Sequence, residues 1–167
     1  MKDQTDQINN HEEKDSNKEV DLREEHFSTD NVDDAVARIH EISSNESIEY
    51  EKALDLLDKL LMVNPDDPKV YYEKGFFFEI AQRYHDAIKC FDQALNINRD
   101  YFEAWYRKGL ALNNLEKYHD AIKCFDQSLL IKAGNINALN DKGDSLNKIG
   151  LYDKAAEAYE EVLKSNP

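Results

Sequence analysis

Ten consecutive residues occur twice in this chain, 34 positions apart. Tyr84–Gln93 and Tyr118–Gln127 both read YHDAIKCFDQ. The same offset joins Gly75, Gly109 and Gly143, then Tyr84, Tyr118 and Tyr152. It also joins Ala87, Ala121 and Ala155, and Phe91, Phe125 and Tyr159. One period upstream stand Tyr50, Ala53 and Leu57. A fixed period of this length marks stacked repeats, each unable to bury its apolar face alone.

Within each period the apolar spacing is helical. Val32, Val36, Ile39 and Ile42 recur at +4, +3 and +3, and Ser43-Ser44-Asn45 breaks the run. Ala53, Leu54, Leu57, Leu60 and Leu61 form the next face, which ends at Asn64-Pro65. The spacing predicts helix pairs over 68–81 with 84–97, 102–115 with 118–131, and 136–149 with 152–165. An earlier pair is predicted over 32–44 with 47–62. A glycine inside a helix costs about 1 kcal/mol relative to alanine. Three at one position in the repeat therefore require a missing side chain. A close crossing of the paired helices explains it, with Ala87, Ala121 and Ala155 facing the glycines. Phe91, Phe125 and Tyr159 would then fill the wider part of the gap.

Residues 1–31 carry ten acidic and four basic residues and few large apolar ones. Such a segment cannot offset its ordering entropy by burial and reads as a disordered acidic tail. A short binding motif around Val20–Phe27 is the functional alternative. Over all 167 residues, 35 acids against 21 bases give a net charge of −14. That charge repels nucleic-acid backbones and anionic membrane surfaces, so neither is expected as a partner. No apolar run reaches the roughly 18 residues of a membrane span, and the N-terminal residues lack the apolar core of a signal peptide. Two cysteines make no disulfide framework. A reducing, cytoplasmic setting is expected.

Trp105, Gly109, Tyr118, Ala121 and Phe125 resemble the tetratricopeptide repeat pattern. Tyr71, Gly75, Phe78, Tyr84, Ala87, Phe91 and Ala94 match it one repeat earlier, and Gly143, Tyr152, Ala155, Tyr159 and Pro167 one repeat later. Residues 32–67 resemble it weakly. Tyr50, Ala53 and Pro65 fit, but Glu41 occupies the glycine column. Lys74, Lys108 and Lys142 stand where the family has Leu, and Arg99 and Ala133 where it has Pro. The resemblance implies an all-α, right-handed superhelical solenoid of antiparallel helix pairs. It would comprise a degenerate repeat (32–67) and three regular ones (68–101, 102–135, 136–167).

Chemistry has little to work with. His85-Asp86 and His119-Asp120 suggest acid–base pairs, and Cys90 and Cys124 a thiol centre. All lie in the duplicated block, and equivalent sites on packed helices are about 10 Å apart. That spacing exceeds the reach of a disulfide, which needs Cα atoms within about 7 Å, and equally of one shared metal ion. Nucleophile-elbow, zinc-protease, phosphate-loop and dinucleotide motifs are absent. No catalytic residue, metal or cofactor is expected, and the chain reads as a non-enzyme.

The family resemblance places recognition on the concave face, lined by the first helix of each pair. Helical spacing then selects Lys69, Tyr72, Phe76 and Glu79, next Glu103, Tyr106, Leu110 and Asn113, and last Asn137, Asn140, Asp144 and Asn147. Arg107 and Asp141 border the groove. Asn offers both donor and acceptor to a peptide main chain, and Tyr and Phe serve as anchors. The competing reading is that the tyrosines pack between repeats while the amides sit in water. The family's clamp for chaperone C-termini needs a cationic cluster. Neither register supplies one: Tyr72, Phe76, Arg107, Asn137 and Asp141 occupy its columns in one, and Arg38, Ile42, Glu73, Glu103 and Arg107 in the other. The expected function is an adaptor or scaffold binding a protein or peptide segment. The alternative is a structural or self-assembly module. Ala156, Tyr159 and Leu163 line the last helix with nothing after them, and Tyr159 and Leu163 predict weak self-association.

Overall fold

The computed structural model describes residues 31–44 and 50–165. These form eight helices and no strand. The first pair is α1 (Val32–Ser44) and α2 (Tyr50–Val63). The second is α3 (Pro68–Ile80) and α4 (Tyr84–Ile97). The third is α5 (Phe102–Asn114) and α6 (Tyr118–Ile131), and the last is α7 (Ile136–Lys148) and α8 (Tyr152–Ser165). The acidic tail and Val20–Phe27 lie outside the described residues. Asn31, assigned by composition to that tail, instead opens α1, its Oδ1 accepting from the Asp33 N–H at 3.1 Å.

First helices α3, α5 and α7 end one residue before the spacing predicts, and the turn explains why. In the first, Arg83 N–H donates to the Phe78 carbonyl and Gln82 N–H to Glu79. Lys117 to Leu112 with Glu116 to Asn113, and Leu151 to Leu146 with Gly150 to Asn147, repeat it. This is the left-handed helix stop. Gln82 (φ 57°), Glu116 (φ 58°) and Gly150 (φ 79°) hold the left-handed position.

The glycine columns are real, and the atoms nearest them belong to the aromatic column rather than to the expected alanines. A β-carbon on Gly75 would meet the Phe91 ring, one on Gly109 the Phe125 ring, and one on Gly143 the Tyr159 ring, each first at 2.5 Å. The aromatic ring occupies the space the missing side chain leaves. Ala87 and Ala121, one turn earlier, are fully buried beside it. Phe91 also joins Tyr72 and Ala111 in one apolar cluster, so it knits its own repeat to the next. The α1–α2 pair closes on α3 through Ile39, Leu57, Leu60, Val70 and Phe77, all at most 2% exposed.

The family-atypical lysines also find their reason here. Lys74 pairs with Asp58, Lys108 with Asp92 at 2.5 Å, and Lys142 with Asp126 at 2.6 Å. Each ties a first helix to the second helix of the repeat before it. At Arg99, where the family has Pro, the free carbonyl accepts the Trp105 indole N–H at 2.9 Å.

Neighbouring first helices touch directly: α1 with α3, α3 with α5, and α5 with α7. No two second helices do so among the described residues. The stack therefore bends toward its first helices, which line the concave side. The architecture is an all-α solenoid of antiparallel helix pairs.

Candidate protein-interaction site

All nine predicted groove residues lie on α3, α5 and α7, the concave helices. They divide sharply by what they already touch.

Toward the N-terminal end the side chains are committed to one another. Arg107 sits over the Phe76 ring, 4.7 Å from its centroid, and reaches the Glu79 carboxylate at 3.4 Å. Burial holds the Tyr72 phenol above its ordinary pKa, and the Arg107 cation pulls it the other way. Tyr72 stacks at 5.1 Å on Tyr101 and at 6.0 Å on Phe91. Phe76 packs against His40, whose Nε2 shares a 2.7 Å hydrogen bond with Glu73. Here the tyrosine packs between repeats, as the competing reading has it. Burial also lifts the Glu79 carboxyl above its usual range, against the pull of Arg107.

In the middle, Tyr106 is half-buried with its ring 6.0 Å from Phe125, and its hydroxyl donates to Asp141 at 2.8 Å. Burial, then this bond to a carboxylate, push the phenol well above its ordinary pKa. Leu110 packs onto the core formed by Leu112, Cys124 and Phe125. Asn113 accepts from the buried Ser145 hydroxyl at 2.9 Å.

The α7 end is open. Asn137, Asn140, Asp144 and Asn147 are all exposed. Tyr159 donates to Asp144 at 2.6 Å and accepts from Asn147 at 3.1 Å. The expectation that Tyr159 lines the free C-terminal edge therefore shifts. Its ring covers Gly143 and its hydroxyl faces α7, leaving Leu163, 74% exposed, on that edge.

Sequence reasoning missed two clefts on the opposite, convex side. One, of about 560 Å³, is lined by Ile88, Asp92, Lys108 and Leu112. The other, of about 300 Å³, has the residues 34 positions on, Ile122, Asp126, Lys142 and Leu146. They are one cleft repeated, opening where second helices spread. The Asp and Lys columns at period 34 were the available signal.

His85 and His119 are exposed on α4 and α6. Cys90 and Cys124 are separate buried thiols, pushed up to about 11 by desolvation, so both stay protonated and unreactive at neutral pH. Among the described residues no three His, Cys, Asp or Glu side chains gather to hold a metal ion, and no helix is long and apolar enough to cross a membrane.

Comparison with known proteins agrees with this architecture. Tetratricopeptide repeat models match residues 68–101, 102–135 and 136–167. A crystal structure of MamA superposes with a TM-score of 0.70 at 22% identity, over 78% of this chain and 70% of that one. MamA 41-end from Desulfovibrio magneticus RS-1 gives 0.69 at 23%, over 80% and 77%. At these identities the likeness is one of fold. No curated protein matches. Tandem repeats of this kind build protein-interaction scaffolds. With three consecutive repeats matched, each closing an aromatic ring over its helical glycine, the chain belongs to the tetratricopeptide repeat family.

Proposed function

We propose that this chain is a non-enzymatic adaptor working in the cytoplasm, and that its concave face binds an extended peptide or protein segment. The observation that carries this is the asymmetry of that face. Tyr72, Phe76 and Arg107 are spent on a closed cluster, whereas α7 presents a row of exposed amides and carboxylates beside the half-buried Tyr106. Asn137 and Asn140 have no side-chain partner among the described residues. A peptide main chain offers what such amides lack. The predicted set of Tyr72, Phe76, Tyr106, Arg107, Leu110, Asn113, Asn140, Asp144 and Asn147 thus divides into a supporting wall and a contact surface. Tyr72, Phe76, Arg107, Leu110 and Asn113 hold the wall, and Tyr106, Asn140, Asp144 and Asn147 make the contact. Nucleic acid and membranes remain poor partners for a chain of net charge −14.

The test is an array of random-sequence decapeptides, followed by amide chemical-shift mapping with the best binder. Shifts concentrated on α5 and α7 are expected. Shifts confined to α4 and α6 would move recognition to the convex clefts.

A second reading, self-assembly, draws on the C-terminal edge. Glu160 occupies the column of Asp58, Asp92 and Asp126 but, among the described residues, pairs with Lys164 of its own helix at 3.9 Å. One exposed leucine is far below the roughly 1,000 Å² of a stable interface, so association here is weak. Sedimentation of Leu163→Glu beside the parent protein at rising concentration tests it.

A further inference from the structure

The two convex clefts have a counterpart in the first regular repeat, and there the chain fills it itself. Phe78 stands one period before Leu112, and its ring lies under Arg83, whose guanidinium carbon is 4.5 Å from the ring centroid. Lys74, the counterpart of Lys108, approaches the same ring at 5.8 Å. Arg83 then spans the mouth. It pairs with Asp86 of α4 at 3.0 Å and with Glu51 of α2 at 3.7 Å. A ring inside, a guanidinium over it and carboxylates on the rim close this position from within.

One repeat on, the plug is gone and its receiver remains. Leu112 replaces Phe78, Lys117 replaces Arg83, and His85 replaces Glu51. Asp120 keeps the contact with Lys123, at 2.9 Å, that Asp86 has with Lys89 at 3.1 Å. The result is the cleft of about 560 Å³, lined by Ile88, Trp105 and Leu112. Ligand pockets run from about 300 to 1,000 Å³. We propose that this cleft is a second docking site, for a protein segment that carries an aromatic side chain two residues before an arginine. The ring enters beside Trp105, as Phe78 fills the repeat before. The arginine makes with Asp120 the contact that Arg83 makes with Asp86. Residues two apart in an extended chain share a face, so one segment delivers both groups. The smaller cleft is not part of the site, because Lys154 stands there in the place of Asp120. The site lies across the solenoid from the groove, and neither reading depends on the other.

The chain has one tryptophan, Trp105, so its emission reports on this cleft. The full chain is titrated with the blocked peptide acetyl-Gly-Phe-Ala-Arg-Gly-amide. A saturable change in emission below about 10 mM peptide is expected. Alanine in place of the peptide's phenylalanine should weaken binding about tenfold or more. Glutamine in place of its arginine should weaken it about two- to fivefold. Asp120→Asn, at an exposed position, should cost the arginine peptide the same factor and the glutamine peptide nothing. Leu112→Phe/Lys117→Arg rebuilds the plug of the first repeat and should abolish the response while circular dichroism stays that of the parent. Should that double variant fail to fold, the Asp120→Asn comparison decides alone. No saturable response, an equal response to the alanine peptide, or full binding by a folded Leu112→Phe/Lys117→Arg protein would overturn the proposal. An arginine preference that Asp120→Asn leaves intact would overturn it as well.

Discussion

A β-carbon placed on Gly109 would lie 2.5 Å from Cε1 of Phe125, on the other helix of the same repeat. No real β-carbon tolerates that distance, and Phe125 is fully buried with no room to retreat. The glycine is the hole and the phenylalanine its filling.

Gly109→Ala should therefore destabilise the protein although alanine is the better helix former. Overpacking costs about 1–3 kcal/mol, against a propensity gain of about 1 kcal/mol. Adding Phe125→Leu to Gly109→Ala should recover part of the loss. Gly143→Ala should cost less than Gly109→Ala, because its ring, Tyr159, sits at the end of the stack and is only half-buried. Urea denaturation of the three variants measures this, and a neutral Gly109→Ala would refute the ring-in-gap account.

Gln82 and Glu116 hold left-handed backbone that glycine adopts freely. Gln82→Gly and Glu116→Gly should each raise stability by up to about 1 kcal/mol. Gly150→Ala should lower it by about 1 kcal/mol from backbone strain alone, since nothing lies within 4 Å of the added carbon. Melting temperatures moving in the opposite sense would show that other contacts govern these turns.

A double-mutant cycle on Lys108 and Asp92 should give a coupling of about 0.5–1 kcal/mol. Lysine is largely covered in this pair while aspartate is half exposed, so the coupling should shrink in 1 M salt. A coupling near zero at low salt would remove the lysine column from the account of how repeats are tied.

Burial lifts the Asp141 carboxyl above its ordinary range. The Tyr106 hydrogen bond opposes the lift and Asp144 adds to it. A carboxyl raised on folding binds protons more readily in the folded chain. Stability is therefore lost as pH rises from the unfolded value, about 3.9, through the folded one, and stays lower above it. Asp141→Asn removes that loss. The variant should match the parent well below pH 3.9 and exceed it at pH 7, read from urea midpoints at both. A variant less stable than its parent at pH 7 would contradict the sign.

Helix pairs, their length and the glycine columns were legible in the sequence because helix formation and its period are local. The Leu54–Leu57–Leu60 face of α2 and the duplicated YHDAIKCFDQ block needed no knowledge of neighbours. The pairing of Lys108 with Asp92 was hidden for the opposite reason. The lysine reads as a departure from the family until the preceding repeat brings an aspartate beside it. What the N-terminal half of the groove touches was hidden in the same way. Tyr72 and Arg107 look like recognition residues on their own helices, yet stacking the repeats packs Tyr72 on Tyr101 and Phe91 and sets Arg107 against Glu79 and Phe76.

By itself, then, the sequence determined the repeat: two helices, a close crossing, and a spacing at which the crossing recurs. The tertiary structure decided which side chain enters the crossing and which concave residues stay free. Ala121 and Phe125 stand four residues apart on one face of α6, so helical periodicity cannot choose between them at Gly109. The choice depends on where the two helix axes cross, and that crossing set Phe125 in the gap. Partner selection between repeats likewise depends on the step from one pair to the next, which holds Arg107 against Glu79 and Tyr106 against Asp141.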